Sequence, residues 1–494
     1  MADLILFSQQ NTDACFDLLL DNGSMLNNLL IVRRVPNKRL VCRGDWNGQH
    51  VYAKIFIGSQ AQRYAARDAA GVDCLVRANL ETPTLLYSGK LADEAKVASS
   101  GVLIFAAIVD GMNAEEAWDR SADHEKLELA KKLVVEVAHH HHAGLMQTDL
   151  YLKNFLVEGD RIFTLDGDAI KPLPRLFTNR ATLGNLAVLL SKFDVLHIQQ
   201  WLDSLLVVYA EARGWQKPID VKRMQALIMR HRHRIVQAYA EKKVFRQCTD
   251  IAASRSWRHF LAMSRYNLSA PLGQLLRDTP DTLIDGPSQQ ILKNGNTCTV
   301  GLAEINARKI VVKRYNIKSF WHLLGRVWRP SRAAASWSNA HRLIMHGIAT
   351  AKPIALMEQR IGPLRGKAYF LAEYIESVNL ADLMQDSLLS QAQKQSVCQA
   401  IAELMYKLSL LQIVHGDMKA SNIHIENSRP VLIDLDSLQE YRCKAWFAKG
   451  HVRDLKRLIK NWDAQPEIRQ WLIAALQKVY GDHPLLARAL KESA

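Results

Sequence analysis

The sequence predicts an α+β fold in two tandem domains, each with a small β-rich lobe followed by a mainly helical lobe. Two observations support this prediction. In each half of the 494-residue chain, short β-like apolar runs precede longer segments with helical periodicity. A pattern of polar residues with fixed spacing also occurs once in each half, 268 residues apart. A repeat of that length is too long for a solenoid and indicates two copies of one domain. We place them at residues 1–243 and 285–494, with a helical connector at 244–284.

The second copy of the polar pattern is the better preserved one. His415, Asp417, Lys419 and Asn422 form His-x-Asp-x-Lys-x-x-Asn, and Asp434 follows twelve residues later at the end of an apolar run. Phosphoryl transfer needs a carboxylate that orients the attacking hydroxyl, and an amide and a second carboxylate that hold Mg²⁺. Asp417 is therefore predicted to be catalytic, with Asn422 and Asp434 as metal ligands. Lys419 would neutralise charge on the transferred phosphoryl group.

The first copy has the same spacing. Asp149 precedes Asn154 by five residues, and Asp166 follows Asn154 by twelve. We predict Asp149 as the catalytic carboxylate of this half and Asn154 and Asp166 as its metal ligands. A chance cluster of Asp and Asn in a loop is the alternative, and the matching order, spacing and flanking apolar runs argue against it.

Both halves resemble the bacterial lipopolysaccharide core kinases, the Kdo/heptose kinase family, most strongly from Lys309 to Asp454. The resemblance implies a protein-kinase-like fold in each half, ATP and Mg²⁺ as cofactors, and a sugar hydroxyl of the lipopolysaccharide inner core as acceptor. It makes Lys54 and Lys313 the strand lysines that bind the nucleotide phosphates. Glu373 becomes the acidic residue of the strand that holds the adenine.

The first half departs from the family pattern at three positions. Gln147 stands in place of the motif histidine, and Asn185 in place of an Asp that braces the catalytic loop. Tyr151 replaces the motif lysine, although Lys153 could reach the same phosphate. These changes affect residues that support the site but leave its predicted metal ligands in place. We therefore expect reduced activity of the first half rather than a complete loss.

The acidic partner of each strand lysine is hard to identify from the sequence. A protein kinase carries a Glu for this purpose on the following helix, where the first half offers Asp68 and the second half only Asn339. Only twenty residues separate Asp434 from Asp454, which we expect at the start of a helix. This interval leaves no room for the long activation loop of a protein kinase, and no A-P-E motif follows. A small or glycan acceptor is therefore favoured.

Composition narrows the class of protein. The formal net charge of +15 favours anionic partners, and no zinc-finger or RNP motif points to nucleic acid. Seven scattered cysteines, a start unlike a signal peptide and the lack of a long apolar run predict a cytoplasmic protein. Four successive histidines, residues 139–142, point in different directions on a helix and do not predict a metal site.

A membrane-binding segment is one interpretation of residues 318–332, where aromatic and apolar residues at helical spacing alternate with arginines. A helix packed on its own domain explains the pattern equally well. The expected partners are therefore the core glycan or its lipid-linked precursor and the anionic cytoplasmic face of the inner membrane. A kinase with a protein or small-molecule acceptor, and a scaffold of inactive kinase-like domains, remain the alternatives.

Overall fold

The computed structural model describes residues 4–9, 15–93, 99–267, 269–286, 289–295, 297–305, 307–316 and 330–492. The chain divides into two compact units, Met1–Arg232 and His233–Ala494, which we call the first and second unit. The division falls before the predicted domain end at residue 243. Most of residues 318–332, where membrane binding was considered, lie outside the described residues.

The first unit begins with a sheet and ends with helices. Its elements are α1 Leu4–Gln9, β1 Phe16–Leu19, β2 Met25–Val35, β3 Arg39–Trp46, β4 Gln49–Ile57, α2 Ala61–Arg77, β5 Leu85–Gly89, β6 Ser100–Ala106, β7 Met112–Asn113, α3 Ala114–Arg120, α4 Asp123–His142, β8 Leu145–Gln147, β9 Phe155–Glu158, β10 Arg161–Thr164, β11 Ile170–Pro172, α5 Thr178–Leu190, α6 Val195–Ala212 and α7 Val221–Ala240, whose last residues belong to the second unit.

The second unit repeats this arrangement. Its elements are β12 Ile251–Arg255, β13 His259–Ser264, α8 Ala270–Asp278, α9 Thr282–Asp285, β14 Gln290–Asn294, β15 Cys298–Ile305, β16 Arg308–Tyr315, α10 Arg332–Met345, β17 Pro353–Ile361, β18 Leu364–Glu373, β19 Val378–Asn379, α11 Leu380–Gln385, α12 Gln391–Leu410, β20 Ile413–Val414, β21 Ile423–Glu426, β22 Arg429–Leu432, β23 Gln439–Glu440, α13 Lys444–Lys460, α14 Pro466–Tyr480 and α15 Pro484–Lys491.

The two large sheets share one strand order. In the first unit the order β2-β3-β4-β6-β5 is extended by β1 beside β2. In the second unit the corresponding order β14-β15-β16-β18-β17 is extended by β13 and β12 beside β17. In both, a helix (α2 or α10) follows the third strand of the shared set. The two sheets therefore have the same order over five strands.

The predicted helical connector at 244–284 is wrong in part. Residues 251–264 form β12 and β13, and only the later residues form helices α8 and α9. The four consecutive residues Phe260–Met263 are buried. Strand β13 lies between β12 and β17, and Leu261 and Met263 on one of its faces belong to the hydrophobic core of the second unit. Helix α13 also begins earlier than expected, at Lys444 rather than near Asp454.

Side chains alternate between the two faces of a strand, so Lys54 and Lys313, the predicted phosphate-binding lysines, point away from the hydrophobic core. In β16, Ile310 and Val312 belong to the hydrophobic core, whereas Val311 and Lys313 face a cavity. In β4, Ala53 and Ile55 are core residues on either side of Lys54. The seven cysteines are all free thiols, as the sequence predicts.

Candidate active site

The predicted catalytic loop of the second unit is held by its own asparagine. After β20 the chain passes Asp417 and forms a short 3₁₀ turn at Ala420–Asn422. The Asn422 amide nitrogen donates to the Asp417 backbone oxygen at 2.8 Å and to its Oδ2 at 3.2 Å. Asn422 Oδ1 is therefore the side-chain atom left for a cation. Asp417 also forms ion pairs with Lys419 Nζ at 3.2 Å and with Arg457 at 2.7 Å.

Asp454 braces the start of this loop. Its carboxylate, 1% exposed, accepts the backbone N–H of His415 at 2.7 Å and that of Gly416 at 3.1 Å. Burial raises the pKa of Asp454, against the effect of the Gly416 N–H. Burial lowers the pKa of His415, so the imidazole is neutral, and its Nε2 donates to the Ile433 carbonyl at 3.0 Å. This bond ties the catalytic loop to the strand that leads into Asp434.

Asp434 meets the strand lysine directly. Lys313 Nζ lies 3.1 Å from Asp434 Oδ1. Burial raises the pKa of Asp434, but the Lys313 ammonium outweighs it and the pKa is lowered, so the carboxylate is ionised. Asp434 has a left-handed backbone, with φ 60° and ψ 58°. Two residues on, Asp436 accepts from Arg332 Nε at 2.8 Å.

A cavity of about 440 Å³ joins these residues. That volume is within the range of sites for small molecules and cofactors. Its lining includes four of the predicted residues of the second unit: Lys313, Glu373, Asn422 and Asp434. Asp417 and Lys419 are not part of the lining, and Asp417 is connected to it through its hydrogen bonds with Asn422.

Asn339 does not pair with Lys313 in this structure. Its amide nitrogen donates to the carbonyls of Leu435 and Leu438, both at 2.8 Å, and so holds the segment that follows Asp434. The Arg342 guanidinium contacts Asn339 Oδ1 and lies 3.1 Å from a Glu440 oxygen. The Asn339 amide and the Arg342 guanidinium of helix α10 therefore support the segment that follows Asp434, a predicted metal ligand.

Glu440 is the buried acidic residue of this support. His233 and His346 contact one of its oxygens and Arg342 the other. Burial raises its pKa, but the hydrogen bonds from the two histidines outweigh this and bring it to about 2. Glu440 is therefore ionised at neutral pH.

The first unit reproduces the loop geometry. The Asn154 amide donates to the Asp149 backbone oxygen at 2.8 Å and to its Oδ2 at 3.3 Å. Lys54 Nζ lies 3.7 Å from Asp166 Oδ1 and donates to the Leu165 carbonyl at 3.0 Å. Asp166 Oδ1 is buried and accepts no hydrogen bond from the described residues. A carboxylate oxygen in that condition suits a cation.

Asp68 is the acidic partner of Lys54. The two side chains lie 2.7 Å apart, and Asp68 is fully buried. Burial raises the pKa of Asp68, and the Lys54 ammonium opposes the shift. Its other oxygen accepts the Gly167 N–H at 3.1 Å. A Cβ on Gly71 would lie 1.8 Å from the Gly167 oxygen, so a glycine on α2 permits this contact.

The three departures from the family pattern have different consequences in the structure. Asn185 still braces the loop, since it donates to the Gln147 carbonyl at 2.8 Å and accepts from His141 Nε2 at 3.0 Å. Burial lowers the pKa of His141 to about 4, which keeps the ring neutral. The Gln147 side-chain amide is buried and has no hydrogen-bond partner in the described part of the chain. Tyr151 is packed beneath a lysine, Lys192.

Comparisons with known proteins find a family match in the second unit. Residues 288–480 match the model of the lipopolysaccharide kinase (Kdo/WaaP) family. The match covers less than half of the chain and includes every predicted residue of the second site.

A curated relative and a solved structure are also similar to parts of the chain. The 3-deoxy-D-manno-octulosonic acid kinase of Photobacterium profundum is 31% identical over 136 residues, 27% of this chain and 56% of the relative. The chain thus spans about half the length of that relative. A structure of WaaP in complex with acyl carrier protein covers 46% of this chain and 96% of its own, with 19% identity and a TM-score of 0.33.

Three basic residues near the predicted sites were not assigned to them from the sequence. Arg457 lies one helical turn after Asp454 on α13, a spacing that could have indicated it. Arg332, at the first position of α10, was considered only as part of a membrane-binding segment. Lys192 has no recognisable sequence signal, because it reaches Tyr151 from a turn after α5.

Histidines of the run at residues 139–142 contact neighbouring polar side chains. His140 lies 3.1 Å from Glu136 Oε1, and His141 contacts Asn185. Among the described residues, no three His, Cys, Asp or Glu side chains are grouped so that they could hold a metal ion. No helix in the described ranges combines the length and apolarity needed to cross a bilayer.

Proposed function

We propose that the second unit transfers the γ-phosphoryl group of ATP to a hydroxyl of a heptose or Kdo residue of the lipopolysaccharide inner core. The observation that carries this proposal is that the predicted site residues contact one another beside one cavity. Lys313 meets Asp434, and Asn422 meets Asp417, within the stretch that matches the lipopolysaccharide kinase model. The tandem kinase-like fold is part of the same proposal and is supported by the strand order that the two units share.

Asp417 is the carboxylate placed to receive the acceptor proton. The acceptor oxygen bonds to the γ-phosphorus as the bond to the β-γ bridging oxygen breaks, and ADP leaves with that electron pair. Lys419 and Arg457, both within ion-pair distance of Asp417, orient this carboxylate and place positive charge near the moving phosphoryl group.

Asn422 Oδ1 and the Asp434 carboxylate fit a magnesium ion, because both are oxygen ligands and Mg²⁺ takes its remaining ligands from water and phosphates. Bound there, the ion would neutralise negative charge on the phosphates. Lys313, which pairs with Asp434 in this structure, would contact the nucleotide phosphates as well. Glu373, on the strand that lines the cavity, is the proposed adenine-side residue.

The segment after Asp434 favours a glycan acceptor. Helix α13 starts at Lys444, so the chain forms only a short turn and β23 between the metal ligand and the helix. This described stretch forms no extended platform for a peptide. The +15 charge suits a phosphorylated glycan or its lipid-linked precursor, and we place the reaction at the cytoplasmic face of the inner membrane, with the protein bound peripherally.

The test is phosphate transfer from radiolabelled ATP to dephosphorylated lipopolysaccharide core in the presence of Mg²⁺. Wild type is compared with Asp417→Ala and with Asp482→Ala, a matched control at an exposed position of the same unit. We expect incorporation that Asp482→Ala leaves unchanged and Asp417→Ala lowers at least tenfold, the remainder coming from the first unit. Equal incorporation by all three proteins would contradict the role of Asp417. Tight nucleotide binding without any transfer would favour an inactive scaffold.

A further inference from the structure

The first unit retains a complete set of acidic and amide groups around its loop. The Asn154–Asp149 hydrogen bonds are within 0.1 Å of their counterparts in the second unit, 2.8 and 3.3 Å against 2.8 and 3.2 Å. The strand lysine Lys54 has a buried acidic partner, which the second unit lacks among its described contacts. Gln147 and Asn185 replace the motif histidine and the bracing Asp, and the lysine two residues after the catalytic carboxylate is missing.

A lysine from another element occupies the vicinity of that missing residue. Lys192, in the turn that follows α5, lies with its Nζ 3.6 Å from the centre of the Tyr151 ring. A cation over an aromatic face at this distance is held electrostatically by the ring. Lys153 Nζ lies over the same ring at 5.2 Å. The replacement of lysine by Tyr151 therefore creates a platform for a lysine supplied by a different part of the chain.

The electrostatic surroundings of Lys192 connect it with the catalytic carboxylate. Burial lowers its pKa to about 8, Asp149 opposes the shift, and Lys153 and Arg232 add to it. The pKa of Tyr151 is raised by burial and by Asp149. Lys192 is thus a partly dehydrated cation held by the ring of Tyr151, and the backbone N–H of Tyr151 donates to the Asp149 carbonyl at 2.9 Å. In the second unit, Lys419 has the corresponding relation to Asp417 through a direct ion pair.

We propose that the first unit is a second phosphoryl-transfer centre, in which Lys192 replaces the motif lysine as the cation beside Asp149. This inference rests on the proposed function of the second unit. The acceptor is a second hydroxyl of the same core glycan. Its oxygen bonds to the γ-phosphorus, the bond to the β-γ bridging oxygen breaks with its electron pair on ADP, and the proton passes to Asp149. Lys192 neutralises the charge on the equatorial oxygens during this transfer.

The test uses the full chain with Asp417→Ala, so that the second unit is silenced. We expect residual, Mg-ATP-dependent phosphate on dephosphorylated core, which a further Asp149→Ala removes. Adding Lys192→Ala should lower kcat by about a hundredfold with little change in KM for ATP, because a charge that acts in the transition state is lost. Lys153→Ala should cause the smaller loss, and Lys222→Ala, at an exposed position, none. Thermal unfolding of each variant shows that it is folded.

A pH profile separates a direct role of Lys192 from a structural one. With lysine at position 192, residual transfer should fall as pH rises through about 8, since the ammonium loses its proton there. Lys192→Arg should retain transfer and move this fall to higher pH. If Lys192→Ala matches Lys222→Ala, the assignment of Lys192 is wrong. If Asp417→Ala transfers nothing while wild type is active, only this inference fails. If wild type is inactive, the proposed function fails with it.

Discussion

Replacing Asp454 should loosen the catalytic loop of the second unit in a measurable way. Its carboxylate is the acceptor for two buried backbone N–H groups, those of His415 and Gly416. Hydrogen bonds to a charged acceptor contribute roughly 1.5–3 kcal/mol each, and Asp454→Ala leaves two donors without a partner. The raised pKa of Asp454 shows that burying its charge is itself unfavourable. The expected loss of stability is therefore near the lower end of the sum, about 3 kcal/mol.

Hydrogen exchange by mass spectrometry reports on these two amides directly. We expect Asp454→Ala to lose protection in the peptide that contains His415 and Gly416, while peptides around Gln147 in the first unit stay unchanged. Misplacing Asp417 by about 1 Å should lower transfer by the second unit about a hundredfold. Asp454→Asn keeps one acceptor oxygen, so its amide protection and transfer rate should lie between those of wild type and Asp454→Ala. If Asp454→Ala shows wild-type amide protection and a wild-type transfer rate, Asp454 does not brace the loop. Asp482→Ala is the matched control.

Three further substitutions test other contacts. Gly71→Ala places a Cβ 1.8 Å from the Gly167 oxygen, so the first unit should unfold at lower temperature in calorimetry, and an unchanged transition would contradict the close contact. Lys54→Met leaves Asp68 with only the more distant Arg39 guanidinium, 3.9 Å away, and should destabilise the first unit by about 3 kcal/mol at neutral pH, which urea unfolding measures and the addition of Asp68→Leu should restore. The carboxyl of Glu440 has a folded pKa of about 2 against an ordinary 4.5, so its contribution to stability is present above pH 4.5 and is lost as pH falls towards 2. Glu440→Gln should reduce the loss of unfolding free energy between pH 4.5 and 2 by about 3 kcal/mol. An unchanged loss over that range would exclude this linkage.

The repeated spacing of Asp, Asn and Asp indicates the site from sequence because local geometry controls it. Five residues are enough for Asn422 to turn back to Asp417, and the same holds for Asn154 and Asp149. The position of Lys313 follows from alternation along a strand in a similar way. These features depend on neighbours in the chain, so residue order alone predicts them.

The features that sequence could not provide depend on distant contacts. Lys192 reaches Tyr151 across forty-one residues, a pairing that no spacing rule anticipates. Strands β12 and β13 were predicted as part of a connector, because residues 244–284 are mixed and basic, with Pro271 and Pro280 breaking the pattern. The pairing of β13 with β17, a strand distant in sequence, is visible only in the structure. The start of α13 was misjudged because Gly450, which permits close packing on Val414, reads locally as a helix breaker.

The most direct test of the central claim is a competition between acceptors with purified wild type and Mg-ATP. Dephosphorylated lipopolysaccharide core, a generic protein substrate and free monosaccharides are offered together, and mass spectrometry identifies which gains phosphate. The account predicts phosphate on heptose or Kdo of the core, reduced by Asp417→Ala. Phosphate on the protein substrate with an unmodified core would contradict it and assign the second unit to a different class of kinase.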